Sequence, residues 1–200
     1  MQTGAGHHWA HVERVVSNAR TIAVAEGADV VVVHLAALMH DVVNLPKDHP
    51  DRKKASTMSA RAAGEWLKGK LAPPRVALVE EAIRCHSFSA GIEAQSIEAQ
   101  VLSDADKLDA LGAIGIARVF EIGGALGKPL MAEEDPFCVD READDGVATV
   151  DHFYTKLLRL QERFYTATGR RWALARHRYM ERFLERMERE VQGADLPPTR

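Results

Sequence analysis

The sequence predicts an all-α protein, folded as a single-domain helical bundle. Apolar residues recur at three- and four-residue spacing along most of the chain, and no useful length alternates at a period of two. Gly, Pro and Asp punctuate the periodic stretches at helix-length intervals. With 200 residues the chain can bury a core without disulfides or a structural metal. No repeat or linker-like stretch divides it, so one domain is expected over residues 1–192, followed by a frayed tail over 193–200.

The elements follow in order. Val12, Val15, Val16, Ala19, Ile22 and Ala23 mark one face of a first helix, which Gly27 ends. Asp29 is a natural N-cap for a second helix, expected to run to about Val43, before Pro46. Its opening, Val30 to Val33, has strand propensity, but the following Leu-Ala-Ala-Leu-Met makes the run long enough for a buried helix. Residues 44–54 are a polar loop with two prolines, and Ser56 to Lys70 form the next helix. Pro73 and Pro74 open another, with Val76, Val79, Ile83 and His86 on one face. Residues 93–110 and 112–122 are expected to be helical. Residues 123–148 read as a loop of unusual length, which points to function or mobility. Phe153, Leu157, Leu160 and Phe164 form one late stripe, and Trp172, Met180, Phe183, Met187 and Val191 another.

Composition narrows the function classes. Apolar residues make up 46% and charged residues 28%, and the formal net charge of -3 gives no global field to attract nucleic acid. The Arg-rich last helix interleaves Glu181, Glu185, Glu188 and Glu190, the pattern of a solvated, ion-paired face. Cys85 and Cys138 are too few for a disulfide framework or a four-thiolate zinc site, and inert thiols in a reducing compartment are expected. Residues 1–11 lack an apolar signal segment, and the run Val30 to Met39 is too short to span a bilayer, so no membrane association and a cytoplasmic location are expected.

Three segments carry candidate metal chemistry. His40-Asp41 follows an apolar helix and offers a borderline nitrogen beside a hard oxygen. Alone it is more often just a polar turn at a helix C-terminus. His7-His8-Trp9-Ala10-His11 places His7 above His11 on a helix, and His11 enters the apolar-periodic segment. Asp104, Asp106 and Asp109 lie among Val101, Leu102, Leu108 and Leu111, where carboxylates are costly unless paired or ligated.

In the order His…His-Asp…Asp on helices, the chain resembles the HD superfamily of metal-dependent phosphohydrolases. The likeness extends through Gly6 to Val15, Leu38-Met39-His40-Asp41, Cys85-His86-Ser87-Phe88-Ser89, Asp104 to Gly115, Asp135-Pro136-Phe137 and His152 to Leu160, and resembles a bacterial subfamily of small stand-alone HD hydrolases. It covers roughly residues 6–190. The resemblance implies an HD-type bundle with His11, His40, Asp41 and Asp106 as ligands of a divalent ion: Mn²⁺, Mg²⁺, Fe²⁺, Co²⁺ or Ni²⁺. Two positions depart from the pattern. His8 stands where the subfamily commonly has Asp, and Asn44 follows the His-Asp pair where other HD nucleotidases carry a catalytic Glu. The general base is therefore left unassigned.

The implied reaction is attack of metal-bound water on phosphorus. Lys47 and Lys107 are candidates for phosphate contacts, with Arg52 in the same loop as Lys47; His86 is a candidate proton donor or phosphate contact. Asp104 joins this catalytic set, and with Asp109 and Glu98 it is a candidate for orienting the ligands. The implied partner is a small phosphorylated molecule, expected to be a nucleotide, and a homodimer is left open. Pyrophosphate release from a nucleoside triphosphate is the first expectation, with nucleotide phosphomonoesterase or phosphodiesterase action and a metal-binding regulatory module without turnover as alternatives. Other motifs fail: Gly123 to Pro129 contains a Gly-Lys pair but lacks the first glycine and the Ser/Thr of a phosphate loop.

Overall fold

A computed structural model describes residues 9–46, 49–87 and 91–194. It is all-α, with no strand among the described residues. The helices are α1 (Trp9–Glu26), α2 (Val30–Met39), α3 (Ala55–Leu67), α4 (Pro73–His86), α5 (Ile97–Leu108), α6 (Gly112–Ala125), α7 (Asp151–Thr155) and α8 (Ala167–Val191). Short 3-10 segments cover Arg52–Lys54 and Leu157–Arg163. The chain divides into two compact units. One comprises the described residues up to Asp109 together with Phe164–Arg171, and the other comprises Ala110–Arg163 and the described residues from Trp172.

In the first unit α1 packs on α2 and α5, while α4 lies against α2, α3 and α5. Its core is built from Val15, Ala19 and Ile22 of α1, Val32 and Val33 of α2, Val79 and Ile83 of α4, and Val101 and Leu102 of α5, all fully buried. The four valines at the start of α2 are helical despite their strand propensity. Asp29 caps them, its carboxylate accepting from the Val31 and Val32 amides, and burial of Val32 and Val33 overrides propensity. Glu98, expected near the ligands, instead accepts the Asp29 amide at 2.9 Å and so steadies this helix start.

Helix boundaries differ from expectation where a cap intervenes. α2 stops at Met39 rather than near Val43, and the amide of Val43 is taken by the Ser59 hydroxyl of α3 at 3.0 Å. α3 stops at Leu67 because Lys68 turns to an extended ψ of 126° and Gly69 adopts a left-handed φ of 76°. α5 begins at Ile97, not at residue 93, because Ser96 serves as its N-cap through the Ala99 amide.

The second unit holds α6, α7, the 3-10 segment Leu157–Arg163 and α8 from Trp172 onward. Phe120, Phe153 and Phe183 form its aromatic centre, with ring centroids 6.0–6.2 Å apart. Gly123 is required where it stands, since a Cβ there would lie 2.3 Å from the Thr149 hydroxyl. The stripe Phe153, Leu157 and Leu160 is buried as expected, but the helix breaks at Lys156, at φ -136°, and resumes as 3-10. The long connection is tied down by its own side chains. Asp135 accepts the amides of Val139, Asp140 and Arg141, and Arg141 makes a two-point contact of 2.6 and 2.7 Å with the fully buried Asp151.

That ion pair gives a pH-dependent stability. The Asp151 carboxyl is held below its ordinary 3.8, first by the Arg141 hydrogen bonds and then by the Asp144 amide, against burial. A depressed folded-state value means the pair stabilises the fold above pH 3.8, and the benefit is lost as pH falls through the lower folded-state value. Asp151→Asn should cost about 3 kcal/mol near neutral pH, seen as a lower Tm. The gap to the wild type should narrow in acid, and a gap that does not change with pH would deny the ion pair this role.

Candidate metal centre

Four helix segments of the first unit deliver the cluster. His11 sits two residues into α1, His40 and Asp41 directly follow α2, His86 is the last residue of α4, and Asp106 lies in the last turn of α5. One donor atom from each of His11, His40 and Asp106 lies within 4.8 Å of the others, and the same holds for His40, Asp41 and His86. The two groups share His40. His11 and His40 are 4% and 0% exposed and His86 is 5%, so the nitrogens are screened from water.

The imidazoles are oriented from behind. His40 Nδ1 lies 2.7 Å from the Ala37 carbonyl and His86 Nδ1 2.6 Å from the Ile83 carbonyl, three residues back in the last turn of each helix. A carbonyl can only accept, so each Nδ1 carries the hydrogen and each Nε2 is left to face inward. His11 Nδ1 donates to Asp109 Oδ2 at 2.7 Å. This arrangement, with Nδ1 on an acceptor and Nε2 presented, is that of ligating histidines.

The Nε2 atoms then meet. His11 Nε2 and His40 Nε2 are 3.4 Å apart, and Asp106 Oδ1 is 3.4 Å from His11 Nε2. Asp41 stands with Oδ2 3.7 Å from His40 Nε2 and Oδ1 3.6 Å from His86 Nε2. Such a convergence of lone pairs and carboxylates calls for positive charge. Burial presses the His11 imidazole down, but hydrogen bonds and charge from Asp106 and Asp109 outweigh it and raise it to about 9. Burial works against the Asp106 charge too, yet the His11 hydrogen bond and the neighbouring imidazoles bring its carboxyl to about 2. Burial lowers His40, whereas at His86 it is overcome by Asp41 and Asp106, which raise that imidazole. The donor set of imidazole nitrogens and carboxylates fits a divalent first-row ion.

The other sequence candidates fall elsewhere. Asp104, fully buried, accepts the Tyr165 amide at 2.9 Å and the Thr166 amide and hydroxyl at 2.8 Å each. Gly169 makes room for it, since a Cβ there would lie 2.3 Å from Asp104 Oδ2. Lys107 places its ammonium 3.5 Å from Asp104 and over the Tyr165 ring at 4.5 Å. These two residues therefore tie α5 to the segment that opens α8. The Arg52 guanidinium donates to the Asn44 side chain at 2.8 Å and to the Leu45 carbonyl at 2.5 Å, bracing the chain beyond the His-Asp pair. Lys47, His7 and His8 lie outside the described residues. His86 was expected as an acid or phosphate contact; its place among the possible ligands was missed, although its terminal position on α4 and its apolar-face spacing were the available signals.

The chain is similar to known proteins over most of its length. A family model, the HD domain, matches residues 9–111, a span that includes His11, His40, Asp41, His86 and Asp106. Over 190 residues the chain is 32% identical to the uncharacterized protein YpgQ of Bacillus subtilis, covering 95% of this chain and 87% of that protein. The crystal structure of Bacillus subtilis YpgQ in complex with ADP aligns with a TM-score of 0.72 at 31% identity, over 96% of this chain and 94% of that one. An HD-superfamily hydrolase from Bacillus thuringiensis aligns with a TM-score of 0.73 at 32% identity, over 96% and 89%. On the family-model match over half of the chain and the 32% identity over nearly all of it, this chain belongs to the HD-domain family.

Proposed function

We propose that this chain is a divalent-metal-dependent phosphohydrolase acting on nucleotides, and that its reaction is release of pyrophosphate from a nucleoside triphosphate. The observation that carries the metal reading is the 3.4 Å approach of the His11 and His40 Nε2 atoms beside Asp106, each imidazole oriented from its Nδ1 side. The nucleotide reading is supported by the ADP complex of the Bacillus subtilis relative. The choice of pyrophosphate release follows the subfamily resemblance.

His11, His40, Asp41 and Asp106 would hold the ion. When bound, it supplies a water of lowered pKa and polarisation of a phosphoryl oxygen. The residues of the chain do the rest. Asp109 and the Ala37 carbonyl keep the two imidazoles facing inward. His86 is fixed by the Ile83 carbonyl and presents Nε2 towards Asp41. Its Nε2 is proposed as a proton donor or phosphate contact for the substrate. Lys47 is proposed as a phosphate contact. Asp104 and Lys107 serve by holding α5, and with it Asp106, in place.

Two measurements check this. Asp106→Ala should lose Mn²⁺ binding while retaining its helical circular dichroism, because the packing of α5 rests on Val101, Leu102 and Leu108. Unfolding when the ion is removed would make the metal a structural one instead. In Mn²⁺, the protein should convert a nucleoside triphosphate to the monophosphate and pyrophosphate, and His40→Ala/Asp41→Ala should lower that rate at least about 100-fold. Orthophosphate as the product, or turnover only of a monophosphate or phosphodiester, would replace pyrophosphate release with those activities; metal binding without turnover would leave a binding module.

A further inference from the structure

We infer that Arg14 is a positioning residue for the metal centre: its two-point grip on Asp109 keeps that carboxylate under His11 Nδ1 and so keeps His11 Nε2 turned towards His40 and Asp106. This rests on the reading of the cluster as a metal site.

His11 and Arg14 are three residues apart on α1 and share a helix face. Both reach the same carboxylate at the C-cap of α5. Arg14 Nε donates to Asp109 Oδ1 at 2.5 Å and Arg14 Nη2 to Oδ2 at 3.0 Å, while His11 Nδ1 donates to that same Oδ2 at 2.7 Å. Oδ2 is therefore shared between the guanidinium and the proposed ligand. Asp109 is 1% exposed, where a carboxylate without a counter-charge is costly. Arg14, at 36% side-chain exposure, supplies that counter-charge while remaining in touch with solvent.

A simple staple between α1 and α5 would need only an ion pair. Here the planar fork does more, because two parallel bonds fix the carboxylate plane as well as its distance. With the plane fixed, the oxygen under His11 Nδ1 cannot rotate away. A carboxylate free to turn would let the imidazole tilt, and the Nε2 atoms of His11 and His40 would lose their common focus. Lysine would restore the charge without the fork.

The test compares Arg14→Met, Arg14→Lys and, as a control on the exposed side of α1, Arg20→Met. Two quantities are read: the Mn²⁺ dissociation constant, by electron paramagnetic resonance of free Mn²⁺, and the downfield Nδ1–H resonance of His11 in metal-free, ¹⁵N-histidine-labelled protein, assigned by its loss in Asp109→Asn. Loss of an orienting partner of this kind weakens metal binding about 10- to 100-fold. Arg14→Met is expected to weaken Mn²⁺ by that factor and to broaden or shift the Nδ1–H resonance, with Arg14→Lys recovering part of the affinity and Arg20→Met unchanged. Wild-type affinity and an unmoved resonance in Arg14→Met overturn the inference. Should Arg14→Met fail to fold, the same two results in Arg14→Lys overturn it. A wild-type protein that takes up no Mn²⁺ overturns the metal reading together with this one, whereas equal binding by wild type and variant overturns this one alone.

Discussion

Two imidazole nitrogens 3.4 Å apart, buried and with carboxylates beside them, are the contact on which the candidate site depends. Each nitrogen faces inward only because the other side of its ring is occupied by an acceptor. Asp106 and Asp109 outweigh burial at His11 and raise its imidazole, a mark of how much negative charge the cluster gathers. A divalent ion answers this demand for positive charge with both charge and bonds. The arrangement is thus costly as a purely structural core and well matched to a metal.

The helices convert this demand into geometry by using their ends. His40 and His86 both lie where a last turn exposes carbonyls without a helical partner, and each imidazole takes one of them. The same contact closes a helix and aims the Nε2 of its imidazole into the cluster. α1 and α5 contribute from the side, through His11 and Asp106, and their relative placement is held by the Arg14–Asp109–His11 contacts. Asp104 performs a parallel service one turn earlier on α5, binding the Tyr165–Thr166 backbone. Acids of one short segment therefore divide between a proposed ligand at Asp106 and anchors at Asp104 and Asp109.

That division was not legible in the sequence. Spacing showed that Asp104, Asp106 and Asp109 sit in an apolar stretch and need partners, but the partners of Asp104 lie some sixty residues away, at Tyr165 and Thr166. Lys107, read from its neighbour as a phosphate contact, instead lies over the Tyr165 ring. What local patterns encode was readable: the Asp29 cap, the Pro73–Pro74 start, and a helical reading of the valine run that begins α2. Exact helix ends were not, because Ser96 and Ser59 set them through contacts that no period reveals. The structure brings His11, His40 and Asp106 together, and likewise His40, Asp41 and His86, as the sequence motifs predict of all but His86, which enters through its place at the end of α4.

The most direct test is diffraction from Mn²⁺-soaked crystals at wavelengths on either side of the manganese absorption edge. The account predicts an anomalous peak within bonding distance, roughly 2.0–2.3 Å, of His11 Nε2, His40 Nε2 and the Asp41 and Asp106 carboxylates. A crystal whose anomalous density lies only at surface carboxylates, with the His11 and His40 rings still in contact, would contradict it.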